Sequence, residues 1–359
     1  MARVPLALAH DYLTQRGGAE RVVAAWTHFA PHAPIFTNLY QPETTFLEFR
    51  DVDVVTGRLN RIPLFRKNHR AALPFLAGAT DAMAIDADIT LASSSGWAHG
   101  MRASDYLAVY CHAPARWLYQ TNRYLGRDGF NPLAQLSRLW FTHLREWDQA
   151  AQRRADIYIV NSSATQSMVH DAYGREAVIV APPVDPPTAI PPNEDLSDVL
   201  VVARLLPYKN VDLALEVARA MPELRFRIIG DGPLRDALRA AAPSNVTMLG
   251  AVDESTLWRE YASTRVHLAL SYEDFGITPL EAAAAGKPTV ARRSGGYLDT
   301  ITPTTGLLLD ENELSVGSIS EGLQHVVTRD WDETELTRHA NGFSRHAHWA
   351  GLKAHIPGL

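Results

Sequence analysis

The chain of 359 residues contains a single cysteine, Cys111, so no disulfide framework can hold it together, and a lone thiol fits a reducing compartment. No run of apolar residues approaches the roughly 20 needed to span a bilayer. The opening MARVPLALAHDYL has an apolar run too short for a secretory leader, broken by Pro5 and closed by His10 and Asp11, so none is expected. No tract is of low complexity and no short repeat recurs, which excludes a solenoid. A net charge of -6 leaves no general surplus of cations for a nucleic-acid backbone. One local absence points the other way. Between Val54 and Thr80 there is no acidic residue, while Arg58, Arg61, Arg66, Lys67 and Arg70 are interleaved with Leu59, Ile62, Leu64, Phe65, Leu73, Phe75 and Leu76. A basic amphipathic segment of this kind suits an anionic membrane surface or a lipid phosphate. A helix packed on its own domain with a solvated basic face fits the same pattern.

What is present is an alternation of short apolar runs with helical patterns. PLALAH (5–10), DVVT (53–56), ITLAS (89–93), YLAVYC (106–111), IYIVNS (157–162) and AVIVAPP (177–183) read as strands. Between them 19–30, 133–155 and 163–173 read as helices. Strands alternating with helices predict βαβ units and a parallel sheet. PPVDPPTAIPPN (182–193) has six prolines, cannot continue a helix or a central strand, and reads as a linker. The alternation then restarts with DVLVVAR and ends with PTVAR, predicting a second α/β domain. The expected boundaries are 1–185, a linker at 186–196, a second domain at 197–335 and a helical tail at 336–359 that crosses back to the first domain. The tail's His339, His346, His348 and His355 read as surface histidines rather than metal ligands.

Doubly wound domains bind ligands beyond the carboxyl ends of their strands, so candidate residues should follow strands. Gly17 and Gly18 follow PLALAH and open a helix, a turn suited to a phosphate. His112 and Arg116 follow YLAVYC directly and suit phosphate or sugar hydroxyls. Arg204 ends a strand and Lys209 opens a helix, where a cation opposes the macrodipole by ~0.3–1 kcal/mol and an anionic ligand would offset it. The GDG of 230–232 reads as a turn. DVD (51–53) and DAD (86–88) mimic a metal–diphosphate motif but precede strands and are set aside. In YEDFGITPLEAAAAGKP, Glu273 and Glu281 flank a Gly turn; Thr278 with Glu281 also fits a capping box, with Pro279 at the first helical position.

HDYLTQRGGAERVV, YCHAPARWLY, NSSATQSMVHDAYG with PPVD, ARLLPYKNVDLAL, IIGDGPL and EDFGITPLEAAAAGKPTVARRSGG together resemble glycosyltransferase family 4 over essentially the whole chain. The CHAPARW stretch and TNLY (37–40) are similar to its O-antigen mannosyltransferase branch. The resemblance implies a GT-B fold, an α/β architecture of two Rossmann-like doubly wound domains facing a cleft, and a retaining, metal-independent transfer. It implies that Glu273 faces the transferred sugar, with Asp274 to Thr278 (Asp274, Phe275, Gly276, Ile277, Thr278) lining the donor and Phe275 and Gly276 offering backbone N–H groups. Glu281 would receive the ribose hydroxyls. Arg204 and Lys209 match a diphosphate-binding pair, Gly18 the glycine near the leaving phosphate, and His112 the histidine beside the reacting sugar. Ala203 departs from a frequent glycine before the arginine and weakens that turn's assignment, Asp299 replaces a common glutamate conservatively, and Ala113 and Trp117 replace a frequent threonine and tyrosine, which loosens the link to mannose.

The resulting expectation is a cytoplasmic transferase, peripheral at the inner membrane face, that moves a hexose from a nucleotide diphosphate sugar to a saccharide or lipid-linked saccharide. GDP-mannose is the leading donor and no metal cofactor is expected. Three alternatives stay open: a UDP- or other nucleotide sugar used on a small-molecule acceptor, a GT-B sugar-nucleotide epimerase, and a binding subunit with a relic site.

Overall fold

The computed structural model describes residues 3–119, 134–187, 189 and 195–359 (backbone only at 134–139), and the chain divides into two compact units. The first comprises Met1–Pro183 and His348–Leu359, the second Val184–Ala347.

The first unit is built on a seven-stranded parallel sheet. Its spatial order is Val54–Thr56, Ile35–Thr37, Val4–His10, Ala87–Ser94, Tyr106–Cys111, Ile157–Val160 and Val178–Ile179. Central strands of a parallel sheet are covered on both faces and so read as continuous apolar runs. Leu8 and Ala9 and, two strands away, Ala108 and Tyr110 are accordingly fully buried. The last strand is only Val178–Ile179, shorter than the apolar run 177–183, because Pro182 and Pro183 have no N–H for the ladder. Around the sheet pack Gly18–Phe29, Ala134–Gln152 and Ser163–Tyr173. The last is capped by Ser162, whose hydroxyl accepts from Thr165 N at 3.1 Å, and ends at Gly174 with φ 64°.

The basic stretch is not one helix. It folds as two 3-10 turns and two short helices, Pro63–Lys67 and Leu73–Asp81, because Pro63 and Pro74 each sit in the first turn of a new element. Ile62, Leu64 and Phe75 are exposed among Arg58, Arg61, Lys67 and Arg70. Arg66 instead turns inward, donating to the Asn60 carbonyl and to Gln41.

The second unit holds six parallel strands in the order Val246–Gly250, Phe226–Ile229, Val199–Val202, Val266–Ala269, Thr289–Arg292 and Gly306–Leu309. In both sheets the first strand in sequence lies between the second and the fourth, so each sheet has a topological switch point at that seam. The GDG turn passes close under the first strand of this sheet. A Cβ on Gly230 would lie 1.8 Å from the Ala203 carbonyl oxygen.

The tail does not form a separate body. Glu333–Asn341 buries Leu336 and Ala340 against Ala283 in the second unit. The helix Arg345–His355 then carries the chain into the first unit. His348 is buried there rather than on the surface. Its Nε2 accepts from Trp26 Nε1 at 2.8 Å and its Nδ1 donates to the Ala181 carbonyl at 2.7 Å. Among the described residues no helix is long and apolar enough to cross a membrane.

His267 lies fully buried in the second sheet, with Nδ1 3.3 Å from Thr289 Oγ1 and no hydrogen-bond partner on Nε2 among the described residues. Burial pushes its pKa down to about 3. A histidine kept neutral in the fold contributes stability that is complete above its unfolded value and is lost as pH falls from there towards 3. His267→Leu should therefore remove about 1.4 kcal/mol per pH unit of acid sensitivity between roughly pH 6.5 and 4. Denaturant unfolding of both proteins across that range checks it; parallel curves would contradict it.

Candidate active site

Beyond the switch point of the second sheet, two loops meet. One leaves Val199–Val202, passes Arg204, and turns through Pro207–Lys209 into the helix Val211–Ala220. Asn210, at this junction, is the non-glycine residue with positive φ among those described (φ 52°, ψ 37°). Asparagine tolerates that region because its short polar side chain bonds locally, and here Nδ2 donates to the Leu270 carbonyl at 2.9 Å. The other loop leaves Val266–Ala269 and carries Ser271 to Ile277.

Across this seam Lys209 Nζ contacts Glu273 Oε1, with 10% and 28% of the two side chains exposed. Burial of this degree makes the pair's geometry matter more than that of a surface ion pair. Ser271 Oγ donates to the same carboxylate oxygen at 2.7 Å and lies 3.1 Å from Tyr297 Oη. Burial, and then the charge of Glu273, raise the Tyr297 pKa, so its phenol stays protonated. The chain of donors therefore runs from Tyr297 to Ser271 to Glu273. Arg204 is exposed beside them and donates to Tyr208 Oη at 3.3 Å.

Glu281 has a different environment. The helix starts at Thr278 with Ile277 as N-cap and no side-chain cap hydrogen bond, so Thr278 is not the cap of a capping box. Glu281 is buried at 4% exposure and accepts from Tyr261 Oη at 2.9 Å. The loop between the two glutamates is fixed by close approach to SGG (294–296). A Cβ on Gly295 would stand 2.1 Å from the Glu273 carbonyl oxygen and one on Gly296 2.2 Å from that of Phe275. Gly276, at φ 81°, lies against the Tyr297 ring. Asp274 and Phe275 are buried beside it.

In the first unit the seam joins Val4–His10 to Ala87–Ser94, where His10 pairs with Ser93. Gly17 and Gly18 stand at the start of Gly18–Phe29, whose N-cap Gly17 makes no side-chain cap bond. The carboxylate of Glu20 folds back there, so a Cβ on Gly17 would meet Glu20 Oε2 at 2.5 Å, whereas one on Gly18 meets nothing within 4 Å. His112 Nε2 is 2.8 Å from Ser93 Oγ, and its carbonyl accepts from Asn161 Nδ2 at 3.2 Å. Burial, then His10, His348 and Arg116, push the His112 pKa down to about 3.

Sequence reasoning missed Ser271, Tyr297, Tyr261 and Asn210 in one unit and His10, Ser93 and the carboxylate of Glu20 in the other. The SGG run, two adjacent glycines just after a strand, was the one local signal for the clamp. The DVD and DAD runs are not brought to either site; Asp88 pairs with Arg3. Among the described residues no cluster of three His, Cys, Asp or Glu could hold a metal ion. A cavity of ≈ 700 Å³ lies elsewhere in the second unit, between Asp185, Trp258 and Arg345.

Residues 187–342 match the profile of the family Glycosyl transferases group 1. A GDP-mannose-dependent monoacylated alpha-(1-6)-phosphatidylinositol monomannoside mannosyltransferase of Corynebacterium glutamicum is 30% identical over 161 residues, 41% of this chain and 40% of that protein. A GDP-mannose-dependent alpha-mannosyltransferase of Mycobacterium tuberculosis is 38% identical over 128 residues, 35% of this chain and 33% of that protein. The matches thus span less than half the length of these relatives. An Anabaena protein solved in complex with UDP has a TM-score of 0.67 at 18% identity, over 99% of this chain and 100% of its own. This likeness gives the fold, which is GT-B.

The glycine clamp can be tested apart from any ligand. Gly295→Ala forces a methyl into the Glu273 carbonyl at φ 58° and should lower unfolding free energy by about 2 kcal/mol or more. Gly18→Ala, with open space around it, should leave stability within about 0.5 kcal/mol. Thermal or urea unfolding of both variants decides this, and equal effects would refute the clamp.

Proposed function

We propose, from the match of residues 187–342 to the glycosyl transferases of group 1, that this chain is a retaining glycosyltransferase using a nucleotide diphosphate sugar. The observation that carries the reading is the Lys209–Glu273 contact at the switch point of a unit matching that family. A cation and a carboxylate held side by side there suit a ligand that is anionic at one end and rich in hydroxyls at the other. Lys209 and Arg204 take the diphosphate and Glu273 the hydroxyls of the sugar. Phe275 and Gly276 offer N–H groups, and Glu281 accepts from the ribose. A carboxylate can accept about four hydrogen bonds, so its bond from Tyr261 does not by itself exhaust it.

In the transfer, the bond from the anomeric carbon to the diphosphate oxygen breaks and the acceptor oxygen bonds to that carbon on the same face. The acceptor's proton goes to the departing phosphate oxygen. Lys209 and Arg204 stabilise the negative charge that builds on the leaving group, so no metal is required. His112 lies beside the reacting sugar. GDP-mannose is the donor favoured by the named activities of the bacterial relatives. The UDP complex of the structural neighbour supports a second reading with a UDP-sugar. A lipid-linked saccharide is the acceptor, met at the cytoplasmic membrane face. Exposed Ile62, Leu64 and Phe75 among Arg58, Arg61, Lys67 and Arg70 support contact with anionic lipid, whereas Arg66 is turned inward; Arg116 completes the acceptor-side set.

Thermal shifts with GDP, UDP, dTDP and ADP, each in EDTA, test this. Binding at a hundredfold excess over Kd stabilises by about 2.7 kcal/mol, so one base should stand out. A GDP shift is expected; a UDP shift moves the donor to UDP-sugars, and no shift with any nucleotide overturns the enzyme reading. With the donor identified, transfer should persist in chelator and need an acceptor; product from donor alone would mean an epimerase.

Lys209→Ala should lower kcat about a hundredfold, as loss of a transition-state charge partner does. Cys111→Ala, a buried thiol outside the site, should stay within about threefold. Equal losses in a steady-state assay would remove Lys209 from the diphosphate site.

A further inference from the structure

We propose that Glu20, His10 and Ser93 are positioning residues that fix His112 as the neutral tautomer with its hydrogen on Nδ1, so that this histidine meets its ligand as a hydrogen-bond donor and not as a base. The proposal rests on the reading that His112 lies beside the reacting sugar.

The three side chains form one buried row along which each hydrogen is fixed by its neighbour. His10 Nδ1 is 3.2 Å from the Ser93 carbonyl oxygen and 3.0 Å from Ser93 Oγ. A carbonyl only accepts, so Nδ1 of His10 carries a hydrogen. On the other side of the ring, Nε2 lies 3.8 Å from Glu20 Oε1, with both side chains 2% exposed. Gln15 Nε2 holds that same oxygen at 3.0 Å. A carboxylate beside Nε2 favours a hydrogen there as well. Burial pushes the His10 pKa down, but the hydrogen bond and charge of Glu20, with Asp11, outweigh it and raise the value. Glu20 is lowered in turn, its own burial being overcome by His10.

With Nδ1 of His10 a donor, Ser93 cannot give its hydroxyl hydrogen to it. Ser93 is fully buried, and its remaining partner is His112 Nε2 at 2.8 Å. The hydroxyl therefore donates to Nε2, which must be bare. His112 is kept neutral by burial, so its single ring hydrogen sits on Nδ1. The surroundings hold the row still. Asp11 accepts from the N–H groups of Ser95 and Ala98 at 2.7 and 2.6 Å, just beyond Ser93. Asn161 holds the His112 carbonyl at 3.2 Å, and the Tyr110 ring stands edge-on to His112 with centroids 5.1 Å apart.

Two-bond ¹H–¹⁵N correlation spectra of the full chain with labelled histidine read the tautomer directly, with His112→Gln giving the assignment. The expected wild-type signature is a protonated Nδ1 and a bare Nε2, and this needs no variant; a protonated Nε2 overturns the proposal. Ser93→Ala should abolish that preference. In the transfer assay it should lower kcat about tenfold, the worth of one hydrogen bond, with donor KM changed less than about threefold. Ser93→Thr, which restores the hydroxyl, should recover both signature and turnover. A Ser93→Ala protein that keeps the Nδ1–H signature also overturns the proposal. Absence of any sugar transfer by wild-type protein would defeat the functional reading but leave the tautomer result standing by itself.

Discussion

Both candidate sites depend on one constraint of parallel sheets. Where the winding reverses, the loops leaving two adjacent strand ends diverge, and the backbone there is left without a crossover to cover it. Side chains must then add to the backbone ladder in tying the two strand ends together. In the second unit this is done by Lys209 and Glu273, helped by Asn210 on the Leu270 carbonyl. In the first unit it is done by His10 and Ser93. Each joint combines an ionisable group with a hydroxyl and a carboxylate. The polar side chains at such a seam are satisfied by one another and by the carbonyls of the adjoining strand end, which holds them in fixed geometry.

The fold was legible wherever burial imposed a pattern. YLAVYC and the helix 163–173 occur where the apolar run and the Ser162 cap put them. Ile35–Thr37 went unread because three residues show no period, and Gly306–Leu309 because it opens on a glycine and is only partly buried. The basic stretch was read as one amphipathic segment, although its prolines divide it into four short pieces. His348 looked like one of several polar tail histidines; only its fit between Trp26 and the Ala181 carbonyl makes it interior.

The candidate site was legible as a set of residues following strands, but not as a set of partnerships. His10 and Ser93 are 83 residues apart, and Lys209 and Glu273 are 64 apart. Neither distance leaves any local trace in spacing. The local alternative for Glu281, a cap on its own helix, looked sound by spacing and gave way to Tyr261 from the preceding helix. Residues such as Ser271 and Tyr297 have no intrinsic chemistry that singles them out, and become functional candidates only through the carboxylate they hold.

The course of the backbone between the units has a consequence of its own. The chain leaves the first unit at Pro183 and returns to it at His348, so the second unit is continuous and the first is not. The two junctions are stitched together just inside the second unit, by Val184 N to the Phe343 carbonyl at 2.8 Å and by Arg345 to Asp185 at 2.8 Å. In genetic terms the second unit is an insert with neighbouring ends. One double crossover could exchange it for another of its kind and still return the closing helix, with His348, Leu352 and Ile356, to the core it completes. A lineage could thus acquire a new second unit while inheriting its old first unit intact.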